Sequence, residues 1–426
     1  MKVLLQRVKN VANDRITRVL FYDQTLKKGY ASLASFSKLF ILRRVLVTLA
    51  AYPLSLCCWV LLVVLNRFMP VRIFRFKQPQ RPGLVSVYIE QLEPLCRELQ
   101  ATGNKGILIF IDASETTNLE LLKLYATHFN LYLDDRVAFV RTIFALVPKI
   151  GFLNTHPEHT IYNKNWELPS AITVGTKRKT EVPKMISQLE IKPFEYVILT
   201  HRSLLYDKRH KPTVHLNFNR YTDISKAESA IKLINENGLK VVRMGIDTEA
   251  LPDTLKDLSI IDLSGRFRTD KQDLWLSEYC RFLWGINNTG SWHVPHKYNR
   301  PTLITNSYVV VKGYQHSLFT LQLIWDESKN RNLSMSEMFT LKGVVGKSEQ
   351  MKARGLTFVD NSPTELSSSV SDMLNYSGNK IEYSEHDLAL ISRFNELLIN
   401  AGFQPMTKGH SQPCVSFLRD HSELLL

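Results

Sequence analysis

A glycine-bounded run, Gly285-Ile286-Asn287-Asn288-Thr289-Gly290-Ser291, holds the residues of this 426-residue chain best suited to gripping an anion. Glycine lets backbone approach a phosphate closely, and free N–H groups at a helix start carry partial positive charge. The Thr289 and Ser291 hydroxyls add hydrogen-bond donors. The implied ligand is a diphosphate, bound by Asn288, Thr289, Gly290 and Ser291. The same seven residues also make an ordinary strand-to-helix turn closed by an N-cap, and the run alone leaves both readings open. No G-x-G-x-x-G or Walker pattern occurs, which disfavours a Rossmann dehydrogenase or a P-loop enzyme.

The surrounding residues, 237–306, supply the elements that must position this run. A β-branched run inside 238–245 follows a helix-ending Asn-Gly, and 259–263 is a second run of the same kind. Residues 270–279 have helical apolar spacing through Leu274, Trp275 and Tyr279, and 281–285 is a third strand that stops at a glycine. A short helix over 292–298 and a strand over 300–306 follow. Such alternation predicts parallel strands, right-handed crossovers and a doubly wound sheet. Sheets of this kind bind ligands at the carboxyl ends of their strands, which is where the glycine run falls.

Upstream the same alternation recurs. Residues 84–89 and 106–111 read as strands, with helices between and after them, so an earlier α/β domain is expected over 84–192. Pro193 marks the expected boundary, and Tyr196-Val197-Ile198-Leu199-Thr200 opens a second domain, 193–426, with His201-Arg202-Ser203 at the carboxyl end of that strand. A helix over 224–235 follows. After Asn306 the chain reads as mostly helical, over 334–339, 347–354, 362–374 and 384–401, with one strand at 356–359.

Net charge is +14, yet its distribution argues against a nucleic-acid footprint. Residues 1–81 are rich in Lys and Arg and contain only Asp14 and Asp23 as acids, whereas the remainder is nearly balanced. The basic arm, 1–44, precedes an uncharged apolar run, 45–65, whose length of about 20 residues suits a bilayer. Basic residues on both flanks, with Pro53 near the middle, leave either a simple span or a re-entrant hairpin. Residues 66–83 are the expected linker. The five cysteines show no metal-ligand spacing and no even framework, which implies reduced packing residues of a cytosol-facing protein and no zinc or iron–sulfur site.

Arg243-Met244-Gly245, Asp273-Leu274-Trp275-Leu276, Cys280-Arg281-Phe282-Leu283-Trp284-Gly285, Thr289-Gly290 and residues 301–306 resemble the C-terminal signature of a glycosyltransferase family of bacterial surface-polysaccharide clusters. That family has the two-domain GT-B architecture and is distantly similar to the fucosyltransferases. The resemblance implies two doubly wound, Rossmann-like α/β domains, and the apolar run 45–65 places a membrane segment ahead of them. It implies a nucleotide-sugar donor, a surface-glycan or lipid-linked acceptor, contact with membrane lipids, and neighbouring glycan-assembly proteins. Catalytic domains are then expected on the cytosolic face of the inner membrane.

Arg202 matches the family's arginine after the corresponding strand, although Thr200 stands where a histidine is common. Arg220 matches a second arginine ahead of the long helix, and Arg243 a third. Three arginines at carboxyl ends of strands are suited to a departing diphosphate; taken singly, each also fits a surface ion pair. Asp273 is expected to cap or orient its helix near the site. Asp207, on the loop after Arg202, is the candidate general base, and a solvated loop acid is its plainer reading. No D-x-D pair occurs, so no metal cofactor is expected, and basic side chains with a helix N-terminus take its place. A nucleotide-sugar epimerase and a non-catalytic sugar-nucleotide-binding scaffold are the alternatives.

Overall fold

A computed structural model describes residues 184–205, 221–245, 248–264, 269–287, 298–308, 316–341, 348–403 and 411–426, with Pro295 and Val310. It also describes four strands before residue 155 and five helical positions between residues 46 and 64. These residues fall into two compact units, the first within Met1–Ile161 and the second within Tyr162–Tyr206 and Leu216–Leu426. The second unit therefore begins ahead of Pro193. Ile186, on the helix Lys184–Gln188, and Ile191 are buried in its core.

The first unit contains a parallel sheet ordered β3-β2-β1-β4, built from β1 (Arg72–Arg75), β2 (Ile107–Asp112), β3 (Leu131–Asp134) and β4 (Leu153–Asn154). The strand expected at 106–111 is β2. β1 falls within 66–83, the stretch expected as a linker, and Arg72 to Arg75 pair in register with Ile107 to Phe110. Its two arginines disguised a short strand as part of a basic flank. The strand expected at 84–89 lies outside the described residues, as does most of the apolar run 45–65. Within that run Pro53, Cys57, Val60 and Val64 are helical and exposed. Among the described residues no helix is long and apolar enough to cross a membrane.

The second unit is organised around a seven-stranded sheet in which every pairing is parallel, ordered β14-β10-β9-β8-β5-β6-β7. Its strands are β5 (Tyr196–His201), β6 (Lys240–Met244), β7 (Ile260–Asp262), β8 (Phe282–Ile286), β9 (Thr302–Ser307), β10 (Ser317–Leu321) and β14 (Gln412–Pro413). Five of them, β5, β6, β8, β9 and β10, are unbroken buried runs apart from Lys240 at the rim, which is the pattern of strands covered on both faces. Trp284 and Tyr196 fill the centre, and each polar tip is paired: the Trp284 indole donates to the Thr305 hydroxyl at 3.0 Å, and the Tyr196 hydroxyl to the Leu276 carbonyl at 2.7 Å. The Cys280 and Cys414 thiols are buried as well, and burial raises both above the ordinary value, Cys280 to about 12.

Helices flank the sheet at positions set by local signals. Asp270–Tyr279, Met335–Thr340, Pro363–Ser377 and Glu385–Asn400 each begin at a reciprocal capping box, with Thr269, Ser334, Ser362 and Ser384 as the cap residues. The region after Asn306 is less helical than expected. It contributes β10, β14 and an antiparallel three-stranded sheet ordered β12-β11-β13 from Arg331–Asn332, Leu323–Asp326 and Leu356–Val359. Only Gln322 separates β10 from β11, so the apolar run carries no turn signal to announce two strands.

Candidate functional site

Read from β7, the first six strands follow the chain order third, second, first, fourth, fifth, sixth. This is the doubly wound order in which the chain leaves the central strand in one direction and later resumes in the other. A crevice opens at the carboxyl ends of the two strands flanking that reversal. Those strands are β5 and β8, where His201 stands in register with Ile286. His201, Arg202 and Ser203 leave one strand, and Asn287 leaves the other. The anion-binding run inferred from sequence thus starts at the switch point. Asn288, Thr289, Gly290 and Ser291 lie outside the described residues, as do Asp207 and Arg220.

Asn287 is fully buried and adopts a left-handed backbone, with φ of 64°. Asparagine tolerates this region better than most residues, and the turn lets its N–H bond the Thr305 carbonyl at 2.8 Å while the chain departs from the sheet. Its side-chain amide donates to the Thr222 hydroxyl at 2.8 Å, and Asn306, also left-handed at φ 54°, donates to the same oxygen at 3.0 Å. Asn306 and Asn361 then exchange bonds, N–H to side-chain oxygen in both directions, at 2.8 and 2.6 Å. Thr320 donates to the Asn361 oxygen at 2.7 Å, and the Asn361 amide reaches the Leu321 carbonyl at 3.0 Å. A buried polar network therefore ties together the carboxyl edges of β8, β9 and β10 and the segment entering the helical stretch at Ile224. Among these side-chain atoms only Asn287 Oδ1 is left without a hydrogen bond, and the bonds the others make hold one backbone geometry, because breaking any of them leaves a buried group unpaired.

On the other side of the crevice four titratable residues meet. Arg243, inside β6, is fully buried; its Nη1 donates to Asp262 Oδ2 at 2.9 Å and its Nη2 to the Glu249 carbonyl at 2.6 Å. The sequence reading placed Arg243 among the diphosphate ligands, whereas its charge is directed at the adjacent strand, because Arg243 and Asp262 are register partners of β6 and β7. His201 is buried, with Nε2 facing Glu249 Oε2 at 3.8 Å and Nδ1 making no hydrogen bond. Burial lowers its pKa, opposed by Glu249 and reinforced by the Arg243 cation, so the imidazole is neutral at pH 7. Glu249 is held down at about 2, with His201 the largest contributor and the Glu249 and Leu205 N–H groups and the Ser203 hydroxyl adding to it.

Arg202 is half-buried and follows β5 directly. Asp273 is buried in the first turn of Asp270–Tyr279, but the cap there is Thr269, whose hydroxyl accepts from the Gln272 N–H at 3.3 Å. Asp273 is one turn too far along to cap; its first-turn position still suits the helix dipole. The sequence reading missed His201, Glu249, Thr222, Asn306 and Asn361 as site residues. Each is defined by a partner distant in sequence, and only His201, at the end of a buried strand, carried a local signal. Among the described residues no group of three or more His, Cys, Asp or Glu side chains is placed to hold a metal ion.

No protein-family model matches the chain, and no curated protein matches it. Among solved structures it is similar to E. coli heptosyltransferase WaaC with ADP, at 10% identity over 67% of this chain and 99% of that one, with a TM-score of 0.33. It is also similar to E. coli ADP-heptose lps heptosyltransferase II, at 14% identity over 67% of this chain and 98% of that one, with a TM-score of 0.34. A likeness of this size does not bear on activity.

Proposed function

We propose that the protein is a membrane-attached glycosyltransferase of the GT-B type that moves a sugar from a nucleotide-diphosphate donor to a surface-glycan or lipid-linked acceptor. The observation that carries this reading is the switch point between β5 and β8, flanked by Arg202 on one side and by the Asn287-led glycine run on the other. It joins a fold that binds nucleotides at this position to residues suited to phosphate oxygens. The family resemblance of the sequence around that run supplies the reaction class.

In the proposed reaction an acceptor hydroxyl attacks the anomeric carbon of the donor. A new C–O bond forms, the bond to the nucleoside diphosphate breaks with its electron pair, and the hydroxyl proton passes to a base. Charge builds on the departing phosphate. Arg202, Arg220 and the backbone and side chains of Asn288 to Ser291 offset it, which removes the need for a metal. Arg243 supports the site from below instead of touching the donor. Asp207, on the Arg202 loop, remains the candidate base. The donor is made in the cytosol, so the catalytic units face it, with the basic arm and apolar run holding the protein at the inner membrane.

The experiment is a donor panel with the full chain in lipid nanodiscs, read by free nucleotide release with and without a lipid-linked acceptor. Acceptor-stimulated release supports the reading. Epimerised donor without release points to an epimerase, and tight binding without turnover to a scaffold; either result rejects a transferase.

A further inference from the structure

Residues 201–205 follow β5 and residues 248 and 249 come shortly after β6, and one side chain joins the two stretches. The Glu249 carboxylate accepts the Leu205 N–H at 3.0 Å through Oε1 and faces His201 Nε2 at 3.8 Å through Oε2. The Ser203 hydroxyl is a further donor to it. Its own carbonyl takes the 2.6 Å bond from Arg243, and Arg243 is pinned to Asp262. A Cβ on Gly245 would lie 2.5 Å from Thr248 Cγ2, so a larger residue there would have to displace the Thr248 side chain.

A continuous path of bonds therefore runs from β7 through β6 to the loop after β5. Glu249 is its last member, yet 48% of its side chain is exposed. An exposed glutamate is ordinarily solvated and mobile, whereas this one accepts the Leu205 N–H through Oε1 and lies near the buried His201 imidazole through Oε2. A carboxylate is also a poor neighbour for a phosphate, which argues against direct contact with a diphosphate. What it controls is the loop, and the loop carries Arg202.

We propose that Glu249 is a positioning residue that fixes the 201–205 loop through Leu205, Ser203 and His201, and so sets where Arg202 meets a diphosphate. The inference rests on the reading of Arg202 given under the proposed function, and its test separates the two. Inorganic pyrophosphate is the probe, titrated calorimetrically into the full chain and into Glu249→Ala, Glu249→Gln and Arg202→Ala. Amide hydrogen exchange at Leu205 is measured on the same samples, and the His201 pKa by NMR.

Glu249→Ala is expected to speed Leu205 exchange and to weaken pyrophosphate about tenfold, the equivalent of about 1.4 kcal/mol. Glu249→Gln keeps an acceptor for the Leu205 N–H and should restore most of the affinity, while its lost charge lowers the His201 pKa further. Faster exchange with unchanged affinity would reduce Glu249 to a purely structural group and overturn the proposal. Unchanged exchange in Glu249→Ala would overturn the brace and leave the donor reading standing. Pyrophosphate binding that is absent in the unaltered chain, or unchanged in Arg202→Ala, removes the donor role of Arg202 and the positioning role with it, whatever the exchange shows.

Discussion

Arg243 and Asp262 stand opposite each other on neighbouring parallel strands, Nη1 to Oδ2 at 2.9 Å, with the guanidinium fully enclosed and the carboxylate partly open. An arginine so placed neutralises a fixed partner and gives a ligand little. Arg202, one residue beyond β5, is only half-buried. The two arginines should therefore separate cleanly under mutation.

Arg243→Met should destabilise the second unit by about 3 kcal/mol, because it leaves Asp262 and the Glu249 carbonyl without their donor. Arg202→Ala should change stability by about 1 kcal/mol or less, yet weaken nucleoside diphosphate binding on the order of 10²-fold. Urea unfolding and calorimetry on both variants decide it. Equal loss of stability in both would abolish the distinction.

Asn361→Ala should cost about 2 to 4 kcal/mol, since it strips the acceptor from the Asn306 N–H and the Thr320 hydroxyl and the donor from the Leu321 carbonyl, all inside the core. The same change should loosen Asn306, and through Thr222 the Asn287 turn. Exchange of the Asn287 amide, which bonds Thr305, is the local readout, and its protection should fall in step with the unfolding midpoint.

Two histidines bias the pH profile of stability in opposite senses. Burial lowers the His201 pKa, so as pH falls below about 6.5 the unfolded chain takes a proton that the folded one declines, and stability drops. Burial would lower His421 too, but its 2.6 Å contact with Glu365, aided by Glu423 and Asp420, more than offsets this and raises its pKa. That contribution is complete below about 6.5 and disappears as pH rises through the raised value. The stability lost in His421→Gln should accordingly be larger at pH 6 than at pH 8, by urea midpoints at each pH. A difference that grows with pH would contradict the Glu365 pairing.

If protein groups carry the leaving-group charge, turnover should survive EDTA at saturating donor. Complete loss on chelation, restored by Mg²⁺ or Mn²⁺, would redirect attention to carboxylates outside the described residues.

The elements of the second unit were legible where they rest on local signals. Thr269 with Gln272 and Ser362 with Glu365 announce helices from within four residues, and Tyr-Val-Ile-Leu-Thr-His announces a strand buried on both faces. Legibility failed where a partner far along the chain decides the outcome. Arg243 has a buried ion-pair partner, and nothing near it in sequence shows that Asp262 will lie beside it. The Asn306 and Asn361 exchange spans 55 residues and has no pattern at all. β1 was hidden by its own arginines, and β10 and β11 by the missing turn between them.

The last expectation concerns the membrane. Nucleotide sugars are made in the cytosol, so the catalytic units that follow the apolar run should lie there, and the basic arm before residue 45 should lie there too by the positive-inside rule. Both hold only if residues 45–65 enter and leave on one face. Two full spans need about 40 apolar residues, about twice what is present, so a shallow hairpin bent near Pro53 is the geometry left. Backbone groups freed at such a bend require partners. Lys9→Cys and Gln80→Cys, made with Cys57, Cys58 and Cys96 replaced by serine, report the two ends to a membrane-impermeant maleimide in sealed inner-membrane vesicles. Labelling of both from the cytosolic side is expected. Opposite sides would establish a simple span, and an external position for residue 80 would deny the catalytic units their cytosolic donor.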